Sequence, residues 1–325
     1  MTDKPKGRDS SLVVSSSSGG LFNGFFISKK NCTFDKASLV DGRARRVFDM
    51  VTRACEAEVY PYQLPLTGRS GPMVQAEGRQ MLMLSSYDYL GLIGDPCIDD
   101  AAVDAIRKYG TGTGGVRLLT GTIDLHHQME KELAVFKGMA HAVTFSSGYL
   151  ANLAVVSALL APQDRVLLDS LSHRSLVDAC RLAGVTLRRF AHNDPASLRR
   201  ELESCPPSGR TLIVADGVFS MDGDIGPLAQ LCHLAEKYSA IMMVDDAHAS
   251  GVLGRNGRGT IDHFNVHGRV DIQVGTLSKA IGALGGYVCA CRAKYASSSL
   301  TGFFPCAISF NRWCSSQPYV ALNAA

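Results

Sequence analysis

Charge of one sign is what this sequence lacks most plainly. Its 325 residues carry a net charge of only +3, and nowhere do five basic residues cluster. A basic face tracking a nucleic acid backbone is therefore not expected. Long apolar runs are missing too, so no segment reads as a membrane span. The opening MTDKPKGRDSSLVVSSSSGG lacks the basic-then-apolar order of a secretory signal and reads as a disordered Ser/Gly tail. Ten cysteines are present but no CxxC, which argues against a zinc site. The one close pair, Cys289 and Cys291, would share a strand face. The thiols read as buried side chains in a reducing cytoplasm. There is no internal repeat.

What is present has an ordinary globular composition, 46% hydrophobic and 19% charged, with length enough for one or two domains. From about residue 98 apolar runs alternate with helical patterns. CIDDAAVDAIRKYG and HHQMEKELAVFKG have helical spacing and stop at Gly110 and Gly138; Met129, Leu133 and Phe136 share one face of the second. The strands AVTF, RVLLD, VTLRRF, TLIVAD, AIMMVDD and DIQVGTL follow, with helices between all but the last pair, and YVCAC closes the series. Continuous Val/Ile/Leu strands separated by helices predict an α/β fold: a mostly parallel sheet with helices on both faces. Ligands of such sheets bind beyond the carboxyl ends of the strands. The residues to watch are therefore Ser146–Tyr149, Asp169–His173, Gly217–Asp222, Asp245–His248 and Thr276–Lys279.

Each of these stretches has a bland reading and a chemical one. Gly110–Gly115 fits GxGxxG, but a helix precedes it and no strand does, so a loop near the site is expected rather than a dinucleotide cradle. Ser147, Gly148 and Tyr149 sit at a strand-to-helix turn, which is either a plain N-cap or an anion site fit for a phosphate. His173 follows a strand and is either structural or a flat partner for a flat ring. Ser220 lies in the polar turn VFSMDGD. Asp245 and His248, in VDDAH, could form an acidic turn, a metal site, or a pair that holds a ring nitrogen and a ring oxygen. Asp246 should face away from Asp245 on the strand and tolerate substitution. Lys279, in GTLSK, is either a surface lysine or an amine used for its chemistry; no carboxylate lies near it in sequence, and Asp245 is 34 residues earlier, about one crossover. A phosphate cradle, a flat ring partner, an acid for a pyridinium nitrogen and an amine for an aldehyde together describe pyridoxal 5′-phosphate, with Lys279 as the residue that takes up its aldehyde.

The runs SSYDYLGL (85–92), GTGTGG, LLTGTIDLHHQMEKELAVFKG, FSSGYLAN, LSHRSLVDA, FAHND, GVFSMDGD, VDDAHASGVLGRNGRG and GTLSK come in order and resemble the α-oxoamine synthases over roughly residues 80–292. The resemblance implies a fold-type-I pyridoxal-phosphate transferase large domain and a homodimer. It also implies an activity: condensing an amino acid with an acyl-CoA or acyl carrier protein thioester, with loss of carbon dioxide. It implies catalytic roles for Lys279, His173, Asp245 and His248. Cofactor contacts are implied from Ser147, Gly148, Tyr149, His173, Ser220, Asp245, His248, Thr276 and Lys279, and no metal. Alternatives are another fold-type-I enzyme, such as an aminotransferase or lyase, or a truncated copy that binds cofactor without turnover. Tyr87 stands where the family often has asparagine. Beyond residue 296 the family pattern stops, and its small C-terminal domain, with the arginine for the substrate carboxylate, has no counterpart. The expected organisation is a tail over 1–40, an arm over 41–95, the cofactor-binding large domain over 96–296 and an atypical tail over 297–325.

Overall fold

The computed structural model describes residues 42–60, 62, 64–204 and 208–291. The tails expected over 1–40 and 297–325 lie outside them. The chain divides into two units between Leu64 and Pro65. In the first, helix α1 spans Arg43–Glu56. In the second, strands β1 (Leu66–Thr67), β2 (Met73–Ala76) and β3 (Arg79–Leu82) form a small antiparallel sheet. Helix α2 (Pro96–Tyr109) follows, capped by Asp95, whose carboxylate accepts from the Cys97 N–H.

The large sheet is built from β4 (His141–Phe145), β5 (Arg165–Asp169), β6 (Thr186–Phe190), β7 (Thr211–Asp216), β8 (Ile241–Asp245), β9 (Ile272–Thr276) and β10 (Gly286–Ala290). Their order is β4-β10-β9-β8-β7-β5-β6. Strands β6, β5, β7, β8 and β9 pair in parallel, while β10 runs antiparallel to both β9 and β4. The apolar run YVCAC reads like its neighbours in sequence but reverses direction. Nine residues separate β9 from β10, too few for a helical crossover and enough for a turn.

Alternation along the strands sorts the core. Leu212 and Val214, Ile241 and Met243, and Ile272 and Val274 face one way, onto α4 (Gly148–Leu159) and α5 (Arg174–Ala183). Ile213 and Ala215, and Met242 and Val244, face the other way, onto α6 (Pro195–Ser204) and α7 (Leu228–Lys237). A third cluster joins Met129 and Leu133 of α3 (Asp124–Lys137) to Tyr287 and Cys289 of β10. Each such side chain, fully buried, adds about 1.5–3 kcal/mol of transfer free energy. The thiols divide in a way the sequence does not show: Cys180, Cys232 and Cys289 are buried, Cys55 and Cys291 half-buried, and Cys97 exposed. Cys291 follows the end of β10 and does not share a strand with Cys289. Among the described residues, no helix is long and apolar enough to cross a membrane.

Candidate active site

The carboxyl ends of β4, β5, β7, β8 and β9 lie on one edge of the sheet, and a cleft of about 360 Å³ opens there. Ser147, Gly148, Tyr149, His173, Ser220, Asp245, His248, Thr276 and Lys279 all line it. Tyr87, Asn152, Asp216 and Ser278 line it too. The Gly110–Gly115 loop supplies none of the lining residues. It closes on the segment that follows it instead, since a Cβ on Gly115 would lie 2.2 Å from Thr120 Oγ1.

Local packing aims the key side chains. After β9 the chain makes a turn closed by Leu277 N–H to Gly285 C=O and Gly282 N–H to Lys279 C=O. Leu277 and Ala280 are buried and anchor that turn, leaving Ser278 and Lys279 toward the cleft. After β8, the Ala249 and Ser250 N–H groups both return to Asp246 C=O, and this tight turn carries His248. The two turns meet: Lys279 Nζ is 2.8 Å from His248 Nε2. On the other side of that imidazole, Nδ1 is 2.7 Å from the Tyr89 hydroxyl. The Lys279 ammonium also lies 5.6 Å from the centre of the Tyr87 ring, within cation–π range.

Burial moves the protons of this cluster. It lowers Lys279 below the ordinary lysine value, against the pull of the Asp245 and Asp216 carboxylates. It lowers His248 to about 4, with Lys279 and His173 adding to the effect. His248 is therefore neutral at neutral pH, with one ring nitrogen donating and the other accepting. Asp216 and Asp245 are register partners at the ends of β7 and β8. Burial, then the Asp245 charge, raises Asp216 well above the usual carboxylate range. Burial also raises Asp245, but the Asn152 amide and the Lys279 charge pull it back.

The strand-to-helix turn does two jobs. Ser147 caps α4, its Oγ accepting from Leu150 N–H at 3.2 Å, so the plain N-cap reading holds for that hydroxyl. The α4 N-terminus nonetheless lies against the end of β9, because a Cβ on Gly148 would come within 3.2 Å of Thr276 Cβ. Thr276 Oγ1 donates to Gly285 C=O at 2.9 Å and is 2.7 Å from Ser278 Oγ. Tyr149 lies edge-on to the His173 ring, with centres 6.4 Å apart, and its hydroxyl donates to Asp178 at 2.8 Å. Ser220 is exposed at the rim.

One expectation is overturned. Asp246 does face away from Asp245, as a period of two requires, but it is not a tolerant position. It pairs with Lys137 of α3 at 2.8 Å, with both side chains fully buried. The same ammonium donates to Ser250 Oγ at 3.1 Å and Arg258 C=O at 2.7 Å. Thr260 donates to Asp246 Oδ1 at 2.6 Å. Tyr89, Asn152 and Asp216 were not singled out in the sequence, and Ser278 only within the stretch Thr276–Lys279. Asp216 satisfies the same strand-end rule as Asp245. Asn152 announces itself as a lone amide inside the apolar run LANLAVV, where a buried polar group needs a partner. Tyr89 gave no signal, because its partner is 159 residues away. Among the described residues, no group of three or more His, Cys, Asp or Glu side chains is arranged to hold a metal ion.

Comparison with known proteins bears on the family and the fold. The 8-amino-7-oxononanoate synthase of Exiguobacterium sibiricum is 51% identical over 215 residues, covering 66% of this chain and 55% of that protein. The serine palmitoyltransferase of Bacteroides thetaiotaomicron is 42% identical over 243 residues, covering 75% of this chain and 62% of that protein. The chain thus spans a little over half the length of these curated relatives. A solved serine palmitoyltransferase from S. paucimobilis, with bound PLP–myriocin aldimine, superposes with a TM-score of 0.77 at 31% identity, over 86% of this chain and 73% of that one. The sheet and its helices therefore have the fold-type-I architecture. The family model described as aminotransferase class I and II matches residues 79–311, and with these relatives beside it the chain belongs to that family, in its α-oxoamine synthase group.

Proposed function

We propose that the cleft holds pyridoxal 5′-phosphate on Lys279 and that the protein condenses an amino acid with an acyl thioester, releasing carbon dioxide. The observation that carries this reading is that Lys279 and Asp245 line the same cleft. A half-buried amine with a lowered proton affinity and a buried carboxylate from the neighbouring strand open on one cleft. The residues present fit the cofactor. The first N–H groups of α4 and the close approach of Gly148 to the end of β9 offer a place for the phosphate there. The named relatives support the same reaction class.

When bound, the cofactor supplies an aldehyde carbon for an amine and a pyridinium ring that draws charge from an amino acid's α-carbon. Lys279 would bind that aldehyde and is the base placed to move the α-proton; its lowered proton affinity leaves more of it as free amine. Asp245 would face the ring nitrogen and hold its proton. His248, held by Tyr89 and neutral, offers a hydrogen bond to the ring hydroxyl without adding a charge. His173 lies at the cleft wall as the flat partner of the ring. Tyr87 borders the same space and is the residue from which acyl or amino-acid preference would be read. We further propose a homodimer, as the resemblance implies, with acyl-CoA as the thioester tried first and acyl carrier protein second.

The test is reduction of the cofactor-loaded protein with borohydride, followed by peptide mapping. The pyridoxyl group is expected on Lys279. Labelling of another lysine, with Lys279 untouched, sinks the assignment. Release of free CoA and carbon dioxide from acyl-CoA with glycine, alanine or serine then checks the reaction class. Amino-group transfer to a keto acid in its place would favour the aminotransferase reading.

A further inference from the structure

Two buried polar residues at and behind the cleft wall, Asn152 and Ser175, are given none of the roles above. Asn152 lies in the first turns of α4 and is only 2% exposed. Its Nδ2 stands 2.7 Å from Asp245 Oδ2 and 2.9 Å from Ser175 Oγ. A carboxylate only accepts, so the nitrogen and not the oxygen of the amide must face Asp245, and its two hydrogens serve the two neighbours. The other carboxylate oxygen, Oδ1, accepts from Ala247 N–H at 3.1 Å. Both Asp245 oxygens are thereby held, one by its own turn and one by Asn152.

The chain of hydrogen bonds continues through Ser175. This serine is fully buried in the first turn of α5. Its Oγ receives the Asn152 hydrogen, which leaves its own hydrogen to give. That oxygen is 2.7 Å from His173 Nδ1. The backbone N–H of Ser175 also points at the same Nδ1, at 3.3 Å. A backbone N–H can only donate, so Nδ1 is an acceptor, and a neutral His173 carries its hydrogen on Nε2.

We propose that Asn152 and Ser175 are positioning residues. They link the Asp245 carboxylate to the His173 imidazole in one buried hydrogen-bonded chain that sets the carboxylate's orientation and holds His173 as the Nε2–H tautomer. His173 then meets the bound molecule as a hydrogen-bond donor and not as a base. The proposal relies on the reading above only for the identity of what fills the cleft. The tautomer and the carboxylate's orientation are properties of the chain alone. The physical logic is that of a buried network: each donor of the chain finds its acceptor in the next member, Asn152 Oδ1 alone having no hydrogen-bond partner among the described residues, and removing one member strands its neighbours.

The test needs no cofactor for its first arm. Nitrogen-15 NMR of the imidazoles, in full-length cofactor-free protein, reads the tautomer directly, with His173→Asn to assign the resonance. The expected wild-type result is Nε2–H. Ser175→Ala should move His173 to a mixture of tautomers, and Ser175→Thr, which keeps the hydroxyl, should restore it. Wild-type His173 as Nδ1–H overturns the proposal, whatever the variants do. So does Ser175→Ala with the wild-type tautomer unchanged. The second arm measures pyridoxal 5′-phosphate affinity by titration. Asn152→Leu should weaken it by about 10- to 100-fold, the size of one lost hydrogen bond to a charged group, and unchanged affinity overturns Asn152's part. If Lys279 is not labelled by borohydride while His173 remains Nε2–H, the cofactor reading fails and the relay stands. If Lys279 is labelled and His173 is Nδ1–H, the reverse holds.

Discussion

Asp245 and Asp246 are consecutive, chemically identical and both buried, yet they belong to different machines. Asp246 points to the α3 face of the sheet and is saturated by Lys137, Thr260 and backbone. Asp245 points to the α4 face, where an amide holds it and no cation among the described residues pairs with it at contact distance, and one side of it opens on the cleft. A carboxylate whose every lone pair is satisfied by the fold acts as a fastener. One held in place but left facing a cavity is available for chemistry. Gly259 shows how closely the fastener is built. It has a φ of +100°, and a Cβ there would lie 1.7 Å from Asp246 Oδ2 and 2.6 Å from Lys137 Nζ.

The contrast can be broken most forcefully from the fastener side. Lys137→Met leaves an unpaired buried carboxylate, and removing one partner of such a pair costs about 3–5 kcal/mol. Urea unfolding should show that loss, and Lys137→Met/Asp246→Leu should recover part of it. Equal stability of the single and double variants would mean the pair is not the fastener described. Next comes the chemical carboxylate. Asp245→Asn should keep the fold, because the amide has the carboxylate's shape, although its single oxygen can accept from only one of Asn152 and Ala247. It should lose transition-state stabilisation of about 3 kcal/mol, roughly 100-fold or more in rate. An unaltered rate of α-proton exchange would falsify the role given to Asp245.

A smaller effect concerns pH. Folding lowers His248 from its ordinary value of 6.5 to about 4. The unfolded chain therefore binds this proton more readily than the folded one, so protonation favours unfolding. The resulting loss of stability is absent above the unfolded value and develops as pH falls from 6.5 toward 4. His248→Gln should flatten that part of the stability profile relative to wild type; parallel profiles would count against the neutral imidazole. The smallest effect is expected at the surface. Arg269 and Glu236 pair at 2.6 Å with side chains 34% and 50% exposed, against full burial for Lys137 and Asp246 at 2.8 Å. Arg269→Ala should cost no more than about 1 kcal/mol, and a cost near that of Lys137→Met would show that burial is not what separates the two pairs.

Much of the site was legible because the fold is local in its grammar. Each strand end in the apolar pattern delivered a polar residue to the same edge, so Ser147, His173, Ser220, Asp245, His248, Thr276 and Lys279 could be named from the chain. Their individual roles remain proposals. The partners were not legible. Tyr89 reaches His248 across 159 residues, Asn152 reaches Asp245 across 93, and Lys137 reaches Asp246 across 109. Asp246 was misjudged for the same reason. A period of two tells which way a side chain points, but not what it meets.

Alternating apolar strands and helices, several stopped by a glycine (Gly110, Gly138, Gly184) or capped by a polar residue (Asp95, Ser147, His173), determined the α/β class and the edge of the sheet on which function sits. These are short-range effects of backbone sterics and hydrophobic periodicity. The tertiary structure decided the rest: that β10 turns back antiparallel, that Lys279 lies beside His248, and that of two adjacent aspartates one is tied and one is exposed to the cleft. Those outcomes depend on which residues from distant segments share a buried volume, where a charge must find its partner or shift its proton.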